Sequence, residues 1–442
     1  MCTSTILGEW LGGMSTVGTA ERAFYSGFFP MFYNISTAIG MVLFGFFLSA
    51  AYRRSNLQTV GEMLELLFCR RVRLIASLCF VVAFIILSYI QLQAVASVAA
   101  QVLGMSRSTA IVVSGLVVTI YVYFGGMRGI AITNLIHVFL LFTTLITVFA
   151  LVLLRTGGYH GLFVQLGNVL PDGEISLFKN PFSRGISPVL AWLLGGILSG
   201  FASQASIQPV FAAKDIRTAR RSSFLSALFI APVGVLVSTL GMAARAGIAG
   251  GLPPTAKQAL PFLLMSPSLL PTWLSGLALA GILAAILSTI APVMFAVSTI
   301  LTKDIYELLG GQVEEGKLLG VSRALVLVVG TAIIPLGLLL HGMILDTAYI
   351  TYAIRGAAAV AVVLGIYWTR NNSPVPTSAS VNAAMIASTS AAITFAIFEK
   401  SIAEFLGFTV DKVFAALFFS LTCILLITFI ARTIKKRGMR IS

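Results

Sequence analysis

Long apolar runs separated by short polar clusters set the pattern of this chain. Segments such as Ile111–Tyr123, Ile132–Leu154 and Val413–Ile430 carry few or no ionisable groups. A hydrocarbon core about 30 Å thick is crossed by roughly 20 apolar residues in a helix. Reading the runs between charge clusters and Gly/Pro breaks predicts twelve spans, at about 4–26, 30–52, 72–103, 108–125, 129–154, 188–213, 220–246, 270–305, 320–341, 343–368, 376–398 and 411–432. The expected fold class is an all-α membrane protein. The first span is irregular, because Glu9, Gly12-Gly13 and a polar stretch interrupt it. Backbone groups freed at membrane depth are tolerated only where they are buried in protein or line a cavity.

Composition agrees with this picture. Of 442 residues, 58% are hydrophobic and 10% charged, against about 25% charged in ordinary soluble domains. The net charge of +14 does not point to nucleic acid, because the basic residues sit in clusters between apolar runs. With the N-terminus inside, Arg53-Arg54, Arg70-Arg71, Arg73, Lys214–Arg221 and the residues after Ala431 fall on the cytoplasmic side. The outside segments hold only Arg107, Arg155, Lys179, Arg184, Arg245, Lys257, Lys400 and Lys412. This bias supports both the span count and cytoplasmic termini in a plasma or inner membrane, with lipid head groups as partners. Cys2, Cys69, Cys79 and Cys423 form no visible disulfide framework. No cleavable signal peptide or soluble appendage is expected.

An internal echo suggests a transporter. Glu9-Trp10-Leu11-Gly12-Gly13-Met14-Ser15-Thr16 in the first span is matched five spans later by Trp192-Leu193-Leu194-Gly195-Gly196-Ile197-Leu198-Ser199. Five is odd, so the two halves would cross the bilayer in opposite senses. Paired Gly-interrupted segments at matching positions point to an inverted-repeat transporter with a site near the midplane. The two segments are expected to face one another across the solute cavity. Glycines that simply let helices pack closely are the competing reading.

Four motifs carry a family resemblance. Ala212-Ala213-Lys214-Asp215-Ile216-Arg217-Thr218-Ala219-Arg220 follows Gln204 and Gln208. Gly281-Ile282-Leu283-Ala284-Ala285-Ile286-Leu287-Ser288-Thr289 runs on to Ser298-Thr299-Ile300-Leu301-Thr302-Lys303-Asp304-Ile305-Tyr306. Gly125-Gly126-Met127-Arg128 precedes span 5, and Gly18-Thr19-Ala20-Glu21 with Ser26-Gly27 follows the first break. Over roughly residues 4–370 the chain resembles the sodium:solute symporter family. The resemblance implies a fold similar to the leucine transporter. A first five-helix repeat would span 4–154 with its first helix broken, an extracellular loop 155–187, and an inverted second repeat 188–368. Two peripheral helices over 376–432 and a basic cytoplasmic tail at 433–442 would follow. Family members usually carry a further helix before the broken one, so either the true start lies upstream of Met1 or this member lacks that helix.

The resemblance also implies site residues. Sodium would be held by the hydroxyls of Ser288 and Thr289 and the carbonyls of Gly8, Leu11 and Ala285. Hard cations prefer oxygen ligands, although Ser and Thr often bond back to their own helix instead. Ser15, Asn34, Ser36, Gly196 and Ser199 would lie near the solute, with Gln204 and Tyr352 as further candidates and Gln91 and Gln93 as polar neighbours. An interhelical hydrogen bond is the alternative role for each. The second sodium site of some members uses an aspartate on span 5 and extra hydroxyls on span 8. Here Asn134, Ala291 and Pro292 stand at those positions, so one sodium per solute is expected.

Ionisable groups within spans are functional candidates by default. Glu9 could carry a proton or lie near the cytoplasmic surface. Arg355 could hold a solute carboxylate, snorkel or pair internally. Sodium-coupled symport of an amino acid, a carboxylate such as pantothenate, or a sugar is the expected function. Proton coupling, uniport and a transporter-like sensory module remain open. His137, His160 and His341 are far apart and no HExxH, GxSxG or paired-cysteine motif occurs, so neither an enzyme nor a cofactor is expected.

Overall fold

The computed structural model describes residues 2–310, 315–370 and 373–436, with the side chains of 125–133, 315–319, 370, 373, 435 and 436 outside that description. Among the described residues, eleven helices are long and apolar enough to cross a membrane. They coincide with expected spans 2–12. The first expected span is absent from that set because it is broken. It consists of α1 (Cys2–Trp10), a non-helical step at 11–13, a π-helical turn Met14–Gly18 and α2 (Thr19–Ser26).

The chain continues through α3 (Met31–Leu43), α4 (Ser49–Arg54), the short α5 (Val60–Leu67), α6 (Arg70–Leu103) and α7 (Arg107–Thr156). The helical stretch α7 holds two candidate spans, Arg107–Phe124 and Asn134–Thr156. After the short α8 (Gly158–Gly167) and α9 (Ile175–Lys179) come α10 (Ile186–Phe201), α11 (Gln204–Phe211), α12 (Ile216–Arg245) and the short α13 (Ala259–Leu264). Then follow α14 (Thr272–Thr299), α15 (Glu315–Leu339) and α16 (Ile344–Tyr367). The chain closes with α17 (Ser378–Ile397), α18 (Glu399–Leu406) and α19 (Lys412–Lys436).

Contacts along α6 fix directions. Arg73 meets Asp304 and Arg70 meets the Leu308 carbonyl, whereas Gln93 meets Gly337. α14 and α15 therefore end at opposite ends of α6 and run in opposite senses. Ile111 and Thr119 pack on Gly337 and Gly330 of α15, while Asn134 and Thr144 lie on the α14 side, beside Gly8 and Gly281. The two spans of α7 thus also run oppositely. The expected turn at Gly125-Gly126-Met127-Arg128 falls where side chains are not described.

The sixth expected span corrects one expectation. α10 is helical through Gly195-Gly196, and the break comes later, at Ala202-Ser203, where Ser203 is extended (φ −81°, ψ 108°) before α11. The glycine pair serves close approach instead. A Cβ at Gly196 would run into Ser36 Oγ of α3, and one at Gly195 would press on Tyr349 of α16. Small residues at helix crossings let backbones approach, as membrane packing favours. Both repeats therefore begin with a broken helix, but the second break is not at its glycines.

Candidate functional site

The break in the first helix leaves the C-terminal carbonyls of α1 facing α14. Thr289 Oγ1 donates to the Gly8 carbonyl at 2.5 Å and to Ala285 O at 3.2 Å. Ser288 Oγ donates to Ala285 O at 2.7 Å and reaches Gly8 O at 3.5 Å. The bonds to Ala285 are the local back-bonds that Ser and Thr make in helices. Those to Gly8 are not local, and they bring four oxygens from two elements into one buried cluster. Four of the five residues expected at a sodium site thus meet. Leu11 is buried in the break itself, its amide still bonded to Leu7 O. Its neighbour Gly12 lies so close to Thr289 that a Cβ would collide with Oγ1. A set of neutral hydroxyl and carbonyl oxygens suits a hard monovalent cation bound reversibly.

Asn134 borders this cluster. Its amide lies against Gly8, it is fully buried, and neither Oδ1 nor Nδ2 has a partner. Ala291 and Pro292 follow Thr289 along α14 and offer no hydroxyl.

The expected solute residues separate into groups. Ser15 and Ser36 bond to carbonyls of their own helical turns, Gly12 O at 3.0 Å and Tyr33 O at 2.8 Å. Ser36 meets Gly196 across α3 and α10. Asn34 and Ser199 are fully buried with no partner for Asn34 Oδ1, Asn34 Nδ2 or Ser199 Oγ. The Tyr352 hydroxyl donates to that of Tyr33 at 2.9 Å. Gln204 is engaged elsewhere: its Oε1 accepts from Val60 N at 2.8 Å and its Nε2 donates to Gln58 O at 3.0 Å. Both ends of that amide hold the entry to α5. Gln93 Nε2 bonds Gly337 O, and Gln91 Oε1 accepts from Gly13 N at 2.8 Å. The first glycine pair therefore faces α14 and α6, not Gly195-Gly196 across a cavity.

Glu9 and Arg355 are each 1% exposed and paired at 3.3 Å. Glu9 is therefore not at a surface, and Arg355 does not snorkel. Ser203 Oγ, in the second break, donates to Glu9 Oε1 and accepts from Arg355 Nη1 at 2.6 Å. The guanidinium carbon lies 4.7 Å from the Tyr352 ring centre. Tyr349 stacks on Trp192 at 4.4 Å and meets Tyr352 edge-on. The echo marks Trp10 and Trp192, but not Tyr33 and Tyr349 or the aromatic layer the four form around Tyr352, because an aromatic residue in an apolar run looks like any other core residue.

A second polar cluster closes the end of the bundle that carries Arg70 and Arg73. Thr59 caps α5 in a reciprocal box with Glu62 and donates to Asp304 Oδ1 at 2.8 Å. Arg73 Nε reaches the same oxygen at 2.8 Å and its Nη1 reaches Glu65 at 2.8 Å. Among the described residues no group of three or more His, Cys, Asp or Glu could hold a metal ion.

Comparison with known proteins agrees with the motifs. A model of the sodium:solute symporter family matches residues 1–381. The osmoregulated proline transporter of Bacillus subtilis is 29% identical over 279 residues, 61% of this chain and 53% of that protein. The sodium/proline symporter of Escherichia coli is 26% identical over 310 residues, 68% of this chain and 60% of that protein. The matched region thus spans little more than half the length of these curated relatives. Among solved structures, a substrate-bound outward-open Na+-coupled sialic acid symporter superposes with a TM-score of 0.77 at 19% identity, over 98% of this chain and 89% of that one. A nucleobase-cation-symport-1 family transporter in a closed conformation gives 0.59 at 14% identity, over 98% and 92%. These likenesses establish the fold.

Proposed function

The chain belongs to the sodium:solute symporter family, and from that premise we propose that it couples inward sodium flow to uptake of a small organic solute by alternating access. The contact of Thr289 with the Gly8 carbonyl carries this proposal. It joins the broken helix of one repeat to α14 of the other at a point where neutral oxygens converge. Sodium there would take Gly8 O, Ala285 O, Ser288 Oγ and Thr289 Oγ1 as ligands, with Leu11 O completing the set from the break. Those oxygens belong to two elements, so the ion holds the elements together and its departure lets them part. That is the physical content of coupling: an ion shifts an equilibrium only by binding one state more tightly than another.

The solute would lie between the two breaks and α3 and α16, against Ser15, Asn34, Ser36, Gly196, Ser199 and Tyr352. The buried polar atoms of Asn34 and Ser199 that lack partners support this placement, since each costs about 1–3 kcal/mol unless a ligand or water answers it. Gln204 acts instead as a positioning residue for α5. The repeats are assigned to 4–154 and 188–368, the termini to the cytoplasm, and the chain to the plasma or inner membrane. Uptake into proteoliposomes under an imposed sodium gradient tests the proposal. Accumulation driven by sodium but not by a proton gradient supports it, and accumulation driven by protons alone replaces it with proton coupling on the same fold.

A further inference from the structure

Glu9 and Arg355 meet in the middle of the bundle, and such a pair is not a packing device. Taking two charges out of water costs several kcal/mol per ion, and an apolar pair of similar volume often stabilises a fold as well or better. Ionisable groups at this depth are kept for function. The pair also stands at a particular crossing. Glu9 closes α1 just before the first break, Ser203 lies in the second break and bridges both charges, and Arg355 is midway along α16.

Its bonding is incomplete on both signs of charge. Glu9 Oε2 has no partner. Arg355 Nε and Nη2 reach only Thr351, each at 3.4 Å. Trp10 Nε1 also lacks an acceptor, and its ring lies 5.9 Å from the guanidinium carbon. An Arg355 edge held only by two long bonds to Thr351, an unpartnered Trp10 N–H and an unpartnered Glu9 Oε2 are together complementary to a ligand carrying one anionic and one cationic group. A sugar would answer neither charge, and a simple carboxylate would leave Glu9 Oε2 unanswered and repel it.

We propose that Glu9, Arg355 and Trp10 form a zwitterion subsite and that the transported solute is an amino or imino acid. The solute carboxylate takes the Nε and Nη2 edge of Arg355 in place of its long bonds to Thr351, together with the Trp10 N–H, and the protonated amine takes Glu9 Oε2. The Tyr352 face, already stacked by the guanidinium, walls the subsite. Glu9 is the neighbour of Gly8 in the chain, so the ion and the charged end of the solute are held by adjacent residues of one helix end. The proposal rests on the transport reading and narrows its solute class.

The test is ligand-induced thermal stabilisation of the purified full chain in sodium chloride and in choline chloride. The probes are the common amino acids, L-proline included, then the amide and N-acetyl derivatives of whichever binds, with pantothenate and D-glucose as other classes. A free amino acid should stabilise in sodium, and either blocked derivative should bind about tenfold or more weakly, the loss of a charged hydrogen bond. Because removing one partner strands the other charge, the variant carries Glu9→Gln and Arg355→Gln together. It should lose the preference for the free amino acid over its amide while keeping the shift caused by sodium alone. Equal binding of acid and amide, binding of pantothenate or glucose in place of an amino acid, or a double variant with the original preference would each overturn the subsite. So would a sodium shift with no amino acid bound. Absence of the sodium shift in the wild-type chain would instead overturn the coupling proposal itself.

Discussion

The Thr289 hydroxyl donates to the carbonyl of Gly8, a residue 281 positions earlier in the chain. No local helix rule requires this bond, and it ties the first broken helix to α14 at the level where α1 stops. Replacing Ser288 and Thr289 together by Ala removes both hydroxyls and leaves the Gly8 carbonyl without its donor. Sodium-stimulated uptake should fall to the sodium-free level while membrane insertion is unchanged. Thr289→Ser, which keeps the oxygen, should retain most of it. Each lost ligand is worth about 1.5–3 kcal/mol if it behaves like a hydrogen bond to a charge, or roughly tenfold or more in sodium affinity. Uptake titrated against sodium in both variants checks this.

The glycines divide by what they touch. Gly12→Ala drives a methyl into Thr289 Oγ1, so it should weaken sodium dependence much as Thr289→Ala does. Gly195→Ala meets the Tyr349 ring instead, at the packed seam of α10 and α16. It should lower the melting temperature while leaving the sodium concentration for half-maximal uptake unaltered. If Gly195→Ala shifts that sodium concentration and Gly12→Ala does not, the two seams have been assigned the wrong way round.

Asp304 is fully buried and takes hydrogen bonds from Thr59 and Arg73. Arg73→Ala leaves its charge stranded, which for buried pairs costs about 3–5 kcal/mol. Asp304→Asn removes the charge together with the need for it, and should be milder. Thermal unfolding in detergent should therefore rank Arg73→Ala well below Asp304→Asn. The reverse order would mean that Asp304 is held chiefly through Thr59 and the entry to α5, and not by its pairing with Arg73.

The helices were legible because a membrane demands a length, and apolar runs of that length cannot hide. The first break was legible too, since Glu9 and Gly12-Gly13 interrupt an apolar run where nothing else explains them. The second break was misplaced by reasoning from the same residue type. Gly195-Gly196 stays helical because Ser36 and Tyr349 fill the space a side chain would take, while the actual break at Ala202-Ser203 contains no glycine or proline. Glycine marks where the backbone is permitted to open or approach, and only tertiary packing chooses between them. The Glu9–Arg355 pair was legible as two charges out of place but not as a pair. The residues are 346 positions apart, and no periodicity links them. Gln204 was read as a cavity residue from its polarity, which does not reveal that both ends of its amide are held by the backbone of Gln58 and Val60.

One sodium ion should move with each solute. A second cation site on this fold would need a full negative charge and more oxygens next to the first. Asn134 stands beside Gly8 as a neutral amide, and Ala291 and Pro292 supply no hydroxyl on α14. A second ion placed there would face the first with no charge to offset their repulsion, which at short range in a low-dielectric interior amounts to several kcal/mol. A single ion is still sufficient to drive accumulation. A charge crossing 100 mV gains about 2.3 kcal/mol, and a tenfold sodium gradient adds about 1.4 kcal/mol. Together they sustain a gradient of several hundredfold for a solute of no net charge, which a zwitterion is. Uptake should therefore depend on sodium with a Hill coefficient near 1, and one net charge should cross per solute in voltage-clamped vesicles. A coefficient clearly above 1 together with two charges per solute would show that Asn134, with its unpartnered amide oxygen turned to a second ion, does what a carboxylate does elsewhere in the family.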